Sequence, residues 1–169
     1  LLPHASAVSL SENYQKLNIL ILGSGNAAIE NQLNSLLQDY KGNYNTFIGY
    51  NEELAHLIYA GSDFLLMPSR VEPCGLNQMY SLRYGTIPIV RRTGGLKDTV
   101  IDFGDNGNGI CHDQATVDDV CYSIQRAIKL FDDKKELNKI RKMGMNTDHS
   151  WERVCQEYIE MYKQIIDKR

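Results

Sequence analysis

Apolar residues along this chain come in short blocks separated by stripes of helical period. LNILILGSG (17–25) is a mostly apolar run followed by Gly-Ser-Gly, the pattern of a buried parallel strand ending in a tight turn. Behind it Ile29, Leu33, Leu36, Leu37 and Tyr40 fall at helix spacing, and Gly42 and Asn43 stop the stripe. TFIGY (46–50) predicts a second strand, and 52–59 a short helix carrying Leu54, Leu57 and Ile58. The stretch 63–68, apolar after Asp63, predicts a third strand, and GLNQMYSLRY (75–84) a helix closed by Gly85. TIPIVRR (86–92) predicts a fourth strand, running through Thr93, Gly94 and Gly95 into a short helix at 96–100.

Strand and helix alternating at this spacing predict right-handed βαβ units. The expected fold is α/β: a Rossmann-like parallel sheet with helices on both faces, and ligands held beyond the carboxyl ends of the strands. IDFGDNGNG (101–109) reads as a loop, and the pattern leaves open whether residues 109–111 add an edge strand. Thr116 and Asp119 form a capping pattern ahead of a stripe made by Val117, Val120, Cys121, Ile124, Ile128 and Phe131. A polar helix is expected at 133–143. A last helix starts after Ser150, with Trp151, Val154, Cys155, Tyr158, Met161, Tyr162 and Ile165 on one side. The whole of 1–169 reads as a single domain, with a helix remnant within 1–16. The start lacks an initiating Met, so the chain is expected to be a piece of something longer.

Composition narrows the function classes. With 18 Lys+Arg against 21 Asp+Glu the net charge is −3, and no long basic run is present. That argues against nucleic acid or an anionic membrane as the main partner. The longest apolar runs fall far short of the ~20 residues a membrane span needs, and no signal-peptide pattern opens the chain. Cys74, Cys111, Cys121 and Cys155 lie far apart and form neither a disulfide framework nor a metal-ligand pattern. The expected setting is cytoplasmic, with reduced thiols.

Two stretches break the core pattern. In PSRVEPCGLNQMY (68–80) a strand empties into Pro68, Ser69 and Arg70, and Glu72 follows just ahead of a helix start. The N–H groups of Gly75, Leu76 and Asn77 would have no partner within that helix, which suits an anion. Glu72 could orient a polyhydroxyl ligand or could simply cap the helix. In VRRTGGLKDTV (90–100) two glycines would let backbone approach a ligand. Arg91 and Arg92 could pair phosphate oxygens, or be spent on ordinary carboxylate pairs. Gly23, Gly25 and Ala28 fit a dinucleotide-binding glycine pattern, but no acid ends the next strand, so a packing turn is the better reading. Tyr50 stands where that acid would be and could stack on a base. Cys74 is the cysteine at a helix start, and reads more simply as a small, partly buried residue than as a nucleophile.

Residues 68–100 together closely resemble the signature of bacterial glycogen synthases and plant starch synthases. LGSG, the stretch IGYNEELAHLIYAGSDFLLMPSR and the final SWERV helix extend the likeness over roughly residues 17–169. The resemblance implies most of the C-terminal, donor-binding half of a GT-B glycosyltransferase. It also implies a retaining transfer of glucose from ADP-glucose or UDP-glucose to the non-reducing end of an α-1,4-glucan, with neither metal nor cofactor. On that likeness Glu72, Cys74 and Gly75 would hold glucose hydroxyls, and Leu76 and Asn77 would meet the distal phosphate through backbone. Tyr50 would stack on the base with Gly49 beside it, and Thr93, Gly94 and Gly95 would shape the pocket. Two features depart from relatives: Tyr80 stands where related enzymes carry a second Glu, and Asn77 stands where many carry Thr. The family's diphosphate-clamping Arg and Lys and its acceptor-binding N-terminal domain do not occur in the sequence, so the chain alone is expected to be inactive. Two rival readings remain: a non-catalytic nucleotide-sugar-binding module, and a glucan phosphorylase-like domain using pyridoxal phosphate, for which Lys97 would have to supply the Schiff base.

Overall fold

The computed structural model describes residues 17–167; the helix remnant expected within 1–16 lies outside them. In chain order come β1 (Ile19–Gly23), α1 (Ala27–Asp39), β2 (Tyr44–Ile48), α2 (Glu52–Gly61), β3 (Phe64–Met67), α3 (Asn77–Tyr84), β4 (Ile87–Arg91) and α4 (Leu96–Thr99). A 3-10 turn (Phe103–Asp105), β5 (Ile110–His112), α5 (Val117–Asp132), α6 (Lys134–Asn146) and α7 (Trp151–Ile166) complete them. The open question at 109–111 is settled: β5 pairs in parallel with β4.

All strand pairs are parallel, as the pattern requires, but they form two ladders rather than one: β1 with β2, and β3, β4 and β5 in that order. Hydrophobic periodicity reports which faces of a strand are buried, not which edges are paired, so it could not have shown this division. The helix between the two sheets, α2, packs against α3 of the second one. There His56 and Tyr59 pack against Tyr80 and Tyr84, and Thr86 Oγ1 donates to the carbonyls of Tyr59 and Ser62.

β4 shows why helices lie on both faces. Successive side chains of a strand point to opposite sides. Ile87 and Ile89 join Ile110, Ala127, Leu130, Leu137 and Ile140 on the side of α5 and α6. Val90 joins Met67, Leu96, Val100 and Cys111 on the side of α4. The Cys111 thiol is pushed up to about 11 by burial, and belongs to the core rather than to chemistry.

Several boundaries shift. β2 begins two residues before the expected 46, because Ile19 N–H donates to the Asn43 carbonyl and sets the register Ile19 to Tyr44. α5 buries Ser123, Ala127 and Leu130, whereas Val117 and Phe131 of the expected stripe are exposed. Ser123 escaped the apolar count because its hydroxyl is satisfied inside the helix, on the Asp119 carbonyl. On the same helix Arg126 reaches Asp102 in two bonds of 2.9 and 2.5 Å. Asp102 also accepts from the N–H groups of Cys111 and Gly104. Ser150 caps α7 as expected, but the stripe on that helix stays uncovered among the described residues, with Trp151, Tyr158 and Tyr162 exposed. No helix among the described residues is long and apolar enough to cross a membrane.

Candidate active site

The carboxyl ends of β3 and β4 open side by side into the two stretches that broke the core pattern. β3 ends at Met67, and the chain runs through residues 68–76 before α3 begins at Asn77. The helix therefore starts two residues later than expected. Gly75 takes φ +74°, a left-handed conformation that glycine adopts without strain and that cannot continue into a helix. Leu76 stands at the N-cap position without any side-chain capping bond. Glu72 thus does not cap the helix. Its Oε2 accepts a 3.4 Å bond from Ser69 Oγ, and its side chain is only half-buried.

The N–H groups of Gly75, Leu76, Asn77 and Gln78 donate to no acceptor among the described residues. A row of free donors opening a helix is the arrangement that binds an anion.

The Thr93, Gly94 and Gly95 turn lies directly against this loop. Gly95 N–H donates to the carbonyls of Glu72 and Pro73 at 3.3 and 3.2 Å. A Cβ on Gly94 would sit 1.7 Å from the Glu72 carbonyl oxygen, and one on Gly95 2.3 Å from that of Cys74. The close approach these glycines permit is therefore backbone to backbone, and it fixes where Glu72 stands. Arg91 donates to the carbonyls of Arg70 and Asp113, and Arg92 pairs the Asp113 carboxylate at 3.1 Å. That hydrogen bond raises the Arg92 guanidinium further above its already high value. Both arginines tie the loops together here, the plainer of the two readings.

Other expected residues stand apart from this cluster. Gly49 follows β2 with φ +147°, and its N–H donates to the Gly23 carbonyl. Tyr50 is 86% exposed, and its hydroxyl lies 3.4 Å from Glu52 Oε2 rather than against the loop at 72–77. Among the described residues nothing lies within 4 Å of where a Cβ on Gly23 or Gly25 would be, so no packing among them holds that turn. It is fastened instead by Glu30, which accepts from Gly25 N–H, and by Asn26, which caps α1. Cys74 is an exposed free thiol, not the partly buried residue expected, and Lys97 lies exposed on α4. Among the described residues no cluster of His, Cys, Asp and Glu could hold a metal. A depression of about 280 Å³ lined by Asp63, Tyr84, Gly85 and Arg141 lies at the amino ends of β3 and β4, the end away from this cluster.

Residues 5–146 match the family described as glycosyl transferases group 1. The chain belongs to that family. This group 1 glycosyl transferase is 75% identical over all 169 of its residues to the glycogen synthase of Flavobacterium johnsoniae, of whose length it spans 36%. It is 50% identical over 150 residues to the glycogen synthase of Rhodospirillum rubrum, covering 88% of this chain and 31% of that one. Its structure superposes on the catalytic domain of starch synthase IV from Arabidopsis thaliana, bound to ADP and acarbose, with a TM-score of 0.78 at 31% identity. That match covers 97% of this chain and 36% of the other. The chain therefore spans about a third of the length of the relatives it matches, and the likeness carried by residues 68–100 holds.

Sequence reasoning passed over two residues of this glycosyl transferase that lie inside the cluster. Gln78 is fully buried, and the two N–H bonds of its Nε2 are shared among three acceptors, the carbonyls of Cys74 and Gly75 at 3.2 and 2.9 Å and Thr99 Oγ1 at 3.1 Å. Thr99 Oγ1 donates in turn to the Gly95 carbonyl at 2.8 Å. A polar residue in a helix's first turn reads as solvated. The one available signal was negative: neither residue fits an apolar stripe.

Proposed function

We propose that this chain is the donor-binding half of a retaining glucosyltransferase that elongates an α-1,4-glucan, taking glucose from ADP-glucose or UDP-glucose. The observation that carries the reading is the row of unpaired N–H groups at residues 75–78 held beside the half-buried Glu72. Donors preorganised at a leaving phosphate act where charge develops in the transition state, which is where electrostatic stabilisation lowers a barrier. Identity to glycogen synthases, and likeness to a starch synthase bound to ADP, support the same reading.

In the proposed step the bond between glucose C1 and the distal phosphate oxygen breaks, and its electron pair leaves with the nucleoside diphosphate. An acceptor hydroxyl oxygen bonds C1 on the same face, and its proton goes to the departing phosphate. Glu72, Cys74 and Gly75 orient the sugar, a contribution of positioning. Leu76 and Asn77 meet the phosphate through their N–H groups. Tyr50 stacks on the base, with Gly49 beside it, and Thr93, Gly94 and Gly95 form the wall that holds Glu72 in place. The nucleotide sugar is the substrate, and the reaction uses neither metal nor cofactor. The α-1,4-glucan is held by the part of the relatives' length that this chain does not span.

The test is transfer of labelled glucose to glycogen, measured on this chain alone and on the full-length polypeptide. Transfer by the long form and only background by the chain alone are expected. Transfer by this chain alone would refute the division of labour, and no transfer by the long form from either nucleotide sugar would refute the function.

A further inference from the structure

We propose that Gln78 and Thr99 form a clip that aims the phosphate-binding N–H groups, and that Gln78 is a positioning residue of the transfer reaction. The proposal rests on the donor-site reading above and identifies what sets that site's geometry. In a trans peptide the C=O and N–H point to opposite sides, and no peptide bond among the described residues is cis. The Gln78 carboxamide grips the carbonyls of Cys74 and Gly75. Those carbonyls belong to the same peptide units as the N–H groups of Gly75 and Leu76. Holding the oxygens toward Gln78 turns both N–H groups the other way, out of the loop, where they have no partner among the described residues.

Four further observations fit a clip. The two gripped carbonyls orient the carboxamide, because only its NH2 end can donate to them. Gly75 leaves room for it: a Cβ there would lie 2.5 Å from Gln78 Oε1. That Oε1 is itself buried with no partner among the described residues. The clip also spans both strand ends. Gln78 Nε2 bonds Thr99 Oγ1, which holds the Gly95 carbonyl, while Gly95 N–H holds the carbonyls of Glu72 and Pro73. One network thus fixes the glucose-orienting carboxylate and the phosphate-facing amides together.

The experiment compares Gln78→Met, Thr99→Val and Thr99→Ser with the unaltered enzyme, all as full-length polypeptide. Methionine keeps the length of glutamine and removes its donors. The readouts are kcat, KM for the nucleotide sugar, and the unfolding midpoint. The amides act on the leaving group, so kcat should fall by about 100-fold in Gln78→Met with a much smaller change in KM, the scale of losing one preorganised donor. Thr99→Val should lose about 10-fold in kcat, and Thr99→Ser, which keeps the hydroxyl, should recover it. A folded Gln78→Met with kcat within about two-fold of the unaltered enzyme overturns the proposal. If Gln78→Met does not fold, equal kcat in the two Thr99 variants overturns it instead. An unaltered enzyme that transfers no glucose sinks the donor-site reading, and the clip with it; an active one with indifferent variants sinks the clip alone.

Discussion

Gly94→Ala should unfold at markedly lower urea than the unaltered chain, while Gly25→Ala should not. The added Cβ at position 94 would meet the Glu72 carbonyl oxygen at 1.7 Å and its carbonyl carbon at 2.8 Å. Both are backbone atoms and cannot swing aside as a side chain would. Forcing extra volume into a packed site costs about 1–3 kcal/mol. Gly94 also sits at φ +46°, and a left-handed conformation adds about 1–2 kcal/mol for a residue with a Cβ. At Gly25 a Cβ would meet nothing within 4 Å, so a change within about 0.5 kcal/mol is expected. Equal stabilities for the two variants would show that the Thr93, Gly94 and Gly95 turn does not press on the Glu72 loop.

Asp102→Ala should destabilise the chain by about 3–5 kcal/mol, the range for breaking a buried pair and leaving one charge uncompensated. The Asp102 and Arg126 side chains are 8% and 20% exposed, and the guanidinium lies 4.7 Å from the centre of the Phe103 ring. Losing the carboxylate strands Arg126 and also the buried N–H of Cys111. The same group predicts an acid limb. Burial would raise the Asp102 carboxyl, but Arg126 and the two N–H donors outweigh it and hold the group below its ordinary 3.8. A depressed folded value contributes stability at pH above the unfolded value, and that contribution is lost as pH falls through the folded one. Urea unfolding followed from neutral pH to below 3.8 should therefore show a decline that is shallower in Asp102→Ala. Parallel curves would remove Asp102 as its source.

The alternation of strands and helices was legible because strands of a parallel sheet read as apolar runs, as in residues 64–68 and, buried on both faces, 87–90. The division into two ladders was not, since edge pairing leaves no mark on side-chain pattern. Glu72, Gly75 and the Gly94 and Gly95 turn stood out because each interrupts a period. What they do to one another did not: the closeness of Gly94 to Glu72 depends on backbone separated by more than twenty positions. Arg91 and Arg92 illustrate the converse. Their charge suggested a phosphate, and the fold spends them on carbonyls and on Asp113. Gln78 was invisible for a related reason: a buried amide with bonded donors looks, in one dimension, like a surface residue.

On the proposed function, the amides of Leu76 and Asn77 receive the phosphate of a nucleotide whose base lies on Tyr50, with Gly75 beside them. Amide chemical shifts of this chain, followed during titration with ADP and with UDP and repeated on Tyr50→Ala, test it most directly. Saturable shifts at Gly75, Leu76 and Asn77 are expected, with affinity weakened by about 1–3 kcal/mol in Tyr50→Ala, the usual worth of an aromatic stacked on a base. Shifts confined to the Gly23 and Gly25 turn, or saturable binding that leaves the amides of residues 75–78 unmoved, would contradict it.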